Sequence, residues 1–363
     1  MFKLPKIQRA VVYEKHNGTI KCQDIPIPKP RSNELLVHIK YSGVCASDLH
    51  VYKGDWNLSP NFPTIGGHEG AGIVVGMGDQ VQNWEIGDLC GIKWIQSTCM
   101  KCYECFEGHD IKCKKLKVSG VHHRGTFCEY TTCDATQAAK LSKSKANLAE
   151  VAPILCAGLT VYKALKLGKL KFGDCVVIVG SCGGLGSYAV QYAKAMGCLV
   201  IGIDNGLKEK FFYENLKGDY FIDFTDMNCG KDGIIKKIQS FTKGNGAKCV
   251  LNVSTGKSTF NDLSKMVANW GTIVLVGIPG ADTTITYSVL DQVVRCYNIV
   301  GSSVGNKTDT KECLRYFDKG LIKSQIKIIG LSELQSAFDT IERGEANGRY
   351  VIDTSKLATS AKL

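Results

Sequence analysis

A cysteine, two histidines, a serine and two acids crowd one short part of the chain. Cys45-Ala46-Ser47-Asp48-Leu49-His50 is followed, past a turn-rich passage, by Gly66-Gly67-His68-Glu69-Gly70. Thiolate and imidazole are ligands that zinc prefers, and hydroxyl, imidazole and carboxylate can take or give a proton. The glycines permit tight turns. A buried cysteine and a hydrogen-bonded core histidine would account for the same residues, so the rest of the chain has to decide.

A second cluster is more specific. Cys99-x2-Cys102-x2-Cys105-x7-Cys113 places four thiols within fifteen residues. Four thiolates so close repel one another unless a cation neutralises them. Tetrahedral zinc does so, and four cysteines leave no open position, which describes a structural site. An iron–sulfur cluster is the competitor. The x7 gap and the missing Cys-Pro fit it less well.

The third constellation is a glycine turn between two apolar strands. Cys175-Val176-Val177-Ile178-Val179 reads as a strand buried in a parallel sheet and runs into Gly180-Ser181-Cys182-Gly183-Gly184-Leu185-Gly186. An amphipathic helix through Val190, Tyr192, Ala193 and Met196 follows, then the strand Leu199–Ile203, ending at Asp204. Strand, glycine turn, helix, strand and acid form the context of a dinucleotide fingerprint. Gly180, Gly183, Gly184, Leu185 and Gly186 bring backbone amides to a pyrophosphate. Asp204 would accept hydrogen bonds from a ribose and repel a 2′-phosphate, which favours NAD. Lys208, four residues on, completes this cofactor-binding set.

The elements that must position these groups fall into two textures. Residues 9 to 44 give extended segments (Ala10–Tyr13, Leu35–Tyr41), with Pro26, Pro28 and Pro30 as a stiff connector between them. Ala71–Gly76 and Gly87–Ile92 continue the β pattern. From about residue 157 strands and helices alternate; Tyr220–Asp223, Lys248–Val253, Thr272–Gly277 and Asn298–Gly301 bring the strands of a doubly wound sheet to six. Short helices (Thr310 to Phe317, Leu331 to Glu342) and a last strand, Gly348–Asp353, close the chain.

Composition narrows the partners. The 363 residues suit about two domains, and the apolar fraction of 44% fills real cores. The net charge of +11 raises a nucleic-acid reading, yet the lysines are scattered and no basic-aromatic motif accompanies them. Solvated lysines that help attract an anionic cofactor explain it better. No apolar run approaches a membrane span, and the amino terminus lacks the core of a signal peptide. The expectation is a cytoplasmic protein without nucleic-acid or membrane partners, in which seventeen cysteines serve as metal ligands and reduced core residues such as Cys175, Cys198 and Cys249.

Taken together and in this order, these motifs resemble the zinc-dependent medium-chain alcohol dehydrogenases over essentially the whole chain, and among them the fungal tetrameric enzymes. Matching segments include Tyr41-Ser42-Gly43-Val44-Cys45, Gly66–Gly72, Ala152-Pro153-Ile154-Leu155-Cys156-Ala157-Gly158 and Gly348-Arg349-Tyr350-Val351. The resemblance implies an α/β fold: a β-rich GroES-like catalytic domain of residues 1–156 and 303–363, with the structural-zinc lobe at 95–115, and a Rossmann NAD-binding domain of residues 157–302. It supplies Cys156 as the third ligand, with Cys45 and His68, of a catalytic zinc holding one open position, so two zinc ions per chain. Glu69 would stand beside that metal and Asp48 would orient the ligating imidazole. Ser47 and His50 would relay the alcohol proton by way of the nicotinamide ribose, and Arg349 would contact the pyrophosphate. Trp56 and Trp94 match substrate-pocket positions, where two indoles imply a narrow slot. The implied activity is of the EC 1.1.1.1 type, ethanol-like primary alcohol and NAD to aldehyde and NADH, in a homotetramer. A polyol or secondary-alcohol dehydrogenase, or a catalytically silent NAD-binding paralogue, is the alternative.

The chain departs from the fungal pattern at Ala46, where those enzymes carry a basic residue against the pyrophosphate. Loss of one charge-assisted contact weakens NAD binding by roughly 1.5–3 kcal/mol. Ala46→His is therefore expected to lower the NADH dissociation constant roughly tenfold or more. Titration of the two proteins by nucleotide fluorescence checks this, and an unchanged constant would show that Ala46 costs nothing.

Overall fold

Eleven residues, Glu34–Val44, form the strand around which the first half of the protein is built. In the computed structural model, which describes residues 4–56, 58–143, 147–226, 230–279 and 283–358, this strand is hydrogen-bonded along both edges. Leu35 to Ser42 pair with Gly70–Met77. Glu34 to His38 pair with Tyr130–Asp134, and Tyr41 to Val44 with Arg349–Asp353. Leu35, Leu36, Val37 and Ile39 are all buried, so the strand has no solvent face along this run. The sheet continues outward through Leu89–Ile92 and Ala139–Lys140 on one side and Ile326–Ile329 on the other. It belongs to a compact unit that runs to Cys156 and takes back Asn306–Asp318 and Lys323–Leu363.

A smaller sheet of Lys21–Pro26, Ile7–Tyr13 and Thr64–Ile65 packs in the same unit. Here the sequence expectation needs correcting. Of the three connector prolines, Pro26 instead ends a strand, Lys21–Pro26, which pairs antiparallel with Ile7–Tyr13. The reason is positional: this is an edge strand, where a residue without an N–H forfeits no ladder bond. A two-stranded ribbon, Ile95–Ser97 with Lys117–Val118, closes the base of the four-cysteine lobe.

The second unit comprises Ala157–Gly305 and Lys319–Ile322. Its sheet has six strands in the spatial order Tyr220–Asp223, Leu199–Asp204, Cys175–Val179, Ala247–Asn252, Val267–Leu275, Asn298–Gly301. Every neighbouring pair is parallel. Counted along the chain the order is 3-2-1-4-5-6, the doubly wound Rossmann arrangement. Apolar side chains of these strands pack with Ile238, Leu263 and Tyr297 into one core. Among the described residues no single helix is long and apolar enough to cross a membrane.

One buried cation in the first unit has a measurable cost. Lys93, just past the strand Leu89–Ile92, is 3% exposed and donates to Thr310 Oγ1 at 3.3 Å on the helix Lys307–Asp318. Burial pushes its pKa down to about 8, although the charges of Asp110, Cys313 and Asp309 oppose the shift. Below pH 8 the lysine is charged folded and unfolded, and the folded state carries the full penalty. Between pH 8 and 10.5 the unfolded chain binds more protons, so stability from this group rises with pH. Lys93→Met removes that dependence. The melting-temperature difference, variant minus parent, is expected to fall between pH 7.5 and 10, equivalent to about 2 kcal/mol; a constant difference would mean that the lysine stays charged where it lies, its pKa not lowered by burial.

Candidate metal centres and dinucleotide turn

Cys45 ends the central strand's run and caps the helix Ala46–Lys53 in an extended conformation (φ −115°, ψ 150°). His68 and Glu69 lie just before the strand Gly70–Met77, and Cys156 follows the short 3-10 turn Ala152–Leu155. These three elements bring one ligand atom each from Cys45, His68, Glu69 and Cys156 within 4.8 Å of one another. His68 Nε2 is 3.2 Å from Cys156 Sγ. All four residues are buried.

Asp48 organises this cluster from behind. Its Oδ2 accepts the Cys45 N–H (3.0 Å), closing the first turn of the helix in the manner of a capping box. Its Oδ1 accepts from Gly67 N (3.1 Å) and from His68 Nδ1 (2.8 Å). An ionised carboxylate only accepts, so Nδ1 carries the hydrogen and Nε2 is turned to the cluster. Burial opposes charge on His68, but Asp48 and Cys45 outweigh it and raise its pKa well above the ordinary value. The Cys45 thiol is held well below its usual range by the hydrogen bond from Cys156, against burial and with help from Arg349 and His68.

Arg349, assigned from the sequence to the pyrophosphate, is 6% exposed and faces this cluster within its unit. Its Nη2 donates to Glu69 Oε1, and Nη1 lies 3.8 Å from Cys45 Sγ. A buried carboxylate needs a paired cation, and this is the guanidinium that supplies it. Burial raises the Glu69 pKa to about 7, against the charges of Arg349 and His68. Glu69 Oε2 and Arg349 Nε are buried without a hydrogen-bond partner. Two thiols, an imidazole and a carboxylate oxygen in reach of one point fit a divalent zinc.

In the lobe, Cys99, Cys102, Cys105 and Cys113 also come within 4.8 Å. Cys102 Sγ and Cys105 Sγ are 3.5 Å apart, and Cys113 Sγ and Cys99 Sγ 3.6 Å. Zinc–sulfur bonds of about 2.3 Å in a tetrahedron place the sulfurs roughly 3.8 Å apart, so this set also fits zinc, with no position left open. All described cysteines are free thiols.

Aromatic rings connect the first cluster to His50. Trp94 stands edge-on to His68 (4.8 Å, 87°) and edge-on to Trp56 (6.3 Å, 77°). Trp56 stacks on His50 (5.0 Å, 24°). Val51, Val118 and Val121 back both indoles. Ser47 and His50 are three residues apart on the helix Ala46–Lys53 and so share a face.

In the second unit Gly180 ends the first strand with φ +84°. Gly186 opens the helix Gly186–Ala195, with Leu185 at its cap, and a Cβ on Gly186 would lie 2.0 Å from the Gly180 carbonyl oxygen. Gly183 and Gly184 lie in the turn between, which sits at the carboxyl edge of the sheet beside the point where strand order reverses. Asp204 ends the next strand; its Oδ2 accepts from Cys182 N (2.8 Å) and its Oδ1 from Asn205 N (2.9 Å). Lys208 Nζ is 3.6 Å from Asp204 Oδ1.

Two contributors escaped the sequence reading. Asp55 meets His50 Nδ1 at 2.8 Å. Gly43 makes room for Glu69: a Cβ there would lie 1.9 Å from Glu69 Oε2. A glycine inside an otherwise apolar strand signals such a close approach, and Gly43 carried that signal. Gly43→Ala is expected to displace Glu69 and its Arg349 partner, leaving the lobe untouched. Zinc measured after dialysis should fall toward one ion per chain in the variant, while an undiminished content would show that Glu69 is free to move aside.

Two family models match the chain: the alcohol dehydrogenase GroES-like domain over residues 31–143 and the zinc-binding dehydrogenase over residues 184–319. Solved structures agree over almost the full length. The alcohol dehydrogenase of the hyperthermophilic archaeon Aeropyrum pernix is 27% identical, with TM-score 0.85 over 95% of this chain and 100% of that one. A CAD from Helicobacter pylori complexed with NADP(H) is 26% identical, with TM-score 0.83 over 97% and 99%. Acetophenone reductase from Geotrichum candidum in complex with NAD is also 26% identical, with TM-score 0.81 over 97% and 98%. With a four-thiol lobe, a buried Cys-His-Cys set and a Rossmann sheet in place, the chain belongs to the zinc-binding medium-chain alcohol dehydrogenase family, as an NAD(P)-dependent oxidoreductase.

Proposed function

We propose that this protein is an NAD-dependent alcohol dehydrogenase that interconverts small primary alcohols, ethanol-like in size, with their aldehydes. The observation that carries the reading is the Trp94 ring set edge-on against His68 and joined to Trp56. Two indoles beside a metal ligand leave little width for a substituent on the reacting carbon. Cys45, His68 and Cys156 would hold the catalytic zinc, whose contribution is to lower the pKa of a bound alcohol. NAD would supply the hydride acceptor. Asp48 keeps His68 Nε2 aimed at the metal position, Ser47 and His50 carry the proton away, and Glu69, held by Arg349, supplies a carboxylate beside the metal. The four lobe cysteines would hold the second zinc.

Asp204 supports NAD over NADP, since a carboxylate at this strand end repels a 2′-phosphate. Lys208 beside it pulls the other way but is held by that same carboxylate. Similarity to the acetophenone reductase and the CAD favours a second reading, turnover of secondary or bulkier aromatic alcohols. A homo-oligomer, the tetramer of the fungal resemblance, gains support from the second unit. There the edge strand Asn298–Gly301 lies near the end of a helix, Val289–Arg295, that exposes Val289, Leu290, Val293 and Val294. A reducing, cytoplasmic location accords with the free thiols.

The test is NAD reduction with ethanol, propan-2-ol, cinnamyl alcohol and sorbitol, repeated after chelation with phenanthroline. Ethanol is expected to give the highest kcat/KM, chelation to abolish turnover, and metal analysis to find two zinc per chain. A preference for cinnamyl alcohol or propan-2-ol would establish the second reading, and one zinc per chain with no turnover would mark a silent NAD-binding protein.

A further inference from the structure

We propose that Asp55 is a positioning residue that fixes the His50 imidazole in the Nδ1–H tautomer, leaving Nε2 bare to take a proton. The inference rests on the proton-carrying role given to His50 above. Its physical origin is the way the helix Ala46–Lys53 stops. Gly54 adopts the left-handed conformation (φ 78°, ψ 22°), and its N–H donates to the carbonyls of His50 (3.0 Å) and Val51 (3.2 Å). A side chain at Gly54 would be strained by that φ and would put a Cβ 3.0 Å from His16 Cγ. The Asp55 N–H then returns to the same His50 carbonyl at 3.0 Å. The chain leaving the helix is thus tied back to the residue it must serve. Its carboxylate comes to rest with Oδ2 at 2.8 Å from His50 Nδ1.

Trp56, the next residue, supplies a second restraint by stacking on the imidazole face (5.0 Å, 24°). One residue holds the ring at its edge and the following one holds its plane. A carboxylate accepts and does not donate, so the nitrogen facing it carries the hydrogen and the other presents a lone pair. When Nε2 takes a proton, the imidazolium forms with Nδ1–H still donated to the Asp55 carboxylate. The same Nε2 then releases that proton to solvent, and no electron moves.

The helix therefore carries two carboxylate–imidazole pairs of opposite exposure. Asp48 and His68 side chains are 4% and 0% exposed, as suits a ligand that must not exchange its proton. Asp55 and His50 side chains are 41% and 29% exposed, as suits a group that must.

The tautomer can be read directly by long-range 1H–15N correlation on protein labelled at histidine nitrogen, at a pH where His50 is neutral, with His50→Gln identifying the signal. The zinc-loaded parent is expected to show Nδ1 protonated and Nε2 bare. Asp55→Ala, at unchanged zinc content, should move the ring toward the Nε2–H form and lower kcat for ethanol roughly ten- to hundredfold with KM for ethanol little altered. Asp55→Glu should restore both. An Nε2–H pattern in the parent overturns the proposal, and so does a pattern that Asp55→Ala leaves unchanged. If Asp55→Ala fails to fold, the parent spectrum still decides. Should the tautomer respond to Asp55 while neither Asp55→Ala nor His50→Gln alters kcat, the positioning stands and the proton-carrying role of His50 falls.

Discussion

The first unit is built around a cluster of two thiols, an imidazole and a carboxylate that is almost closed to water. Cys45 and Cys156 are 7% and 6% exposed, and His68 and Glu69 are fully buried. An isolated buried carboxylate or thiolate is costly, and each additional one within a few ångströms raises the cost. Arg349 offsets the negative charge of Glu69, and a divalent cation at the same point would let both thiols ionise. The central strand, the cap of the helix Ala46–Lys53 and the turn before Cys156 are the devices that hold these groups at that distance. They all converge on the four candidate ligand atoms, where a Cβ at Gly43 would strike Glu69 and the Asp48 carboxylate holds Cys45 N, Gly67 N and His68 Nδ1.

The second unit solves a milder problem with backbone rather than side chains. Its glycine turn is held to the neighbouring strand by Asp204 through Cys182 N, so the acid that would select the ribose also braces the turn. A residue with both duties ties cofactor choice to the shape of the phosphate turn. Lys208, 3.6 Å away, moderates the charge of that acid without replacing its hydrogen bonds.

How much of this could be seen in the sequence depended on the distance along the chain over which each contact acts. The four lobe cysteines and the strand–turn–helix–strand of residues 175–204 are local patterns, and the Rossmann order followed once six strands were counted. Cys45, Asp48 and His68 were visible as chemistry without a partner. Cys156 stands 88 residues from His68 in sequence, and only the family resemblance joined the two. Arg349 and Glu69 are 280 residues apart, beyond any periodicity, so the buried ion pair had no signature. The strand at 21–26 was hidden by its proline because edge and central strands read alike until pairing is known. Gly54-Asp55 was legible in principle, as a helix stop followed by an acid, but the return of Asp55 to His50 depends on the left-handed turn between them.

Membership of a dehydrogenase family leaves the substrate open, because the fold hosts many alcohols and the selecting groups are few. In the proposed reading, selection and metal geometry share a residue. Trp94 packs its edge against His68, which is the ligand that Asp48 orients, and the same indole meets Trp56. Trp56 in turn is the platform under His50. Removing either indole would therefore free His68 or His50 from a ring contact, and on the roles proposed for them would loosen a zinc ligand or a proton carrier along with the slot. On that proposal, such coupling would make a broad substrate range hard to reach by single substitutions, because pocket width, ligand angle and proton transfer would all be set by one run of touching rings.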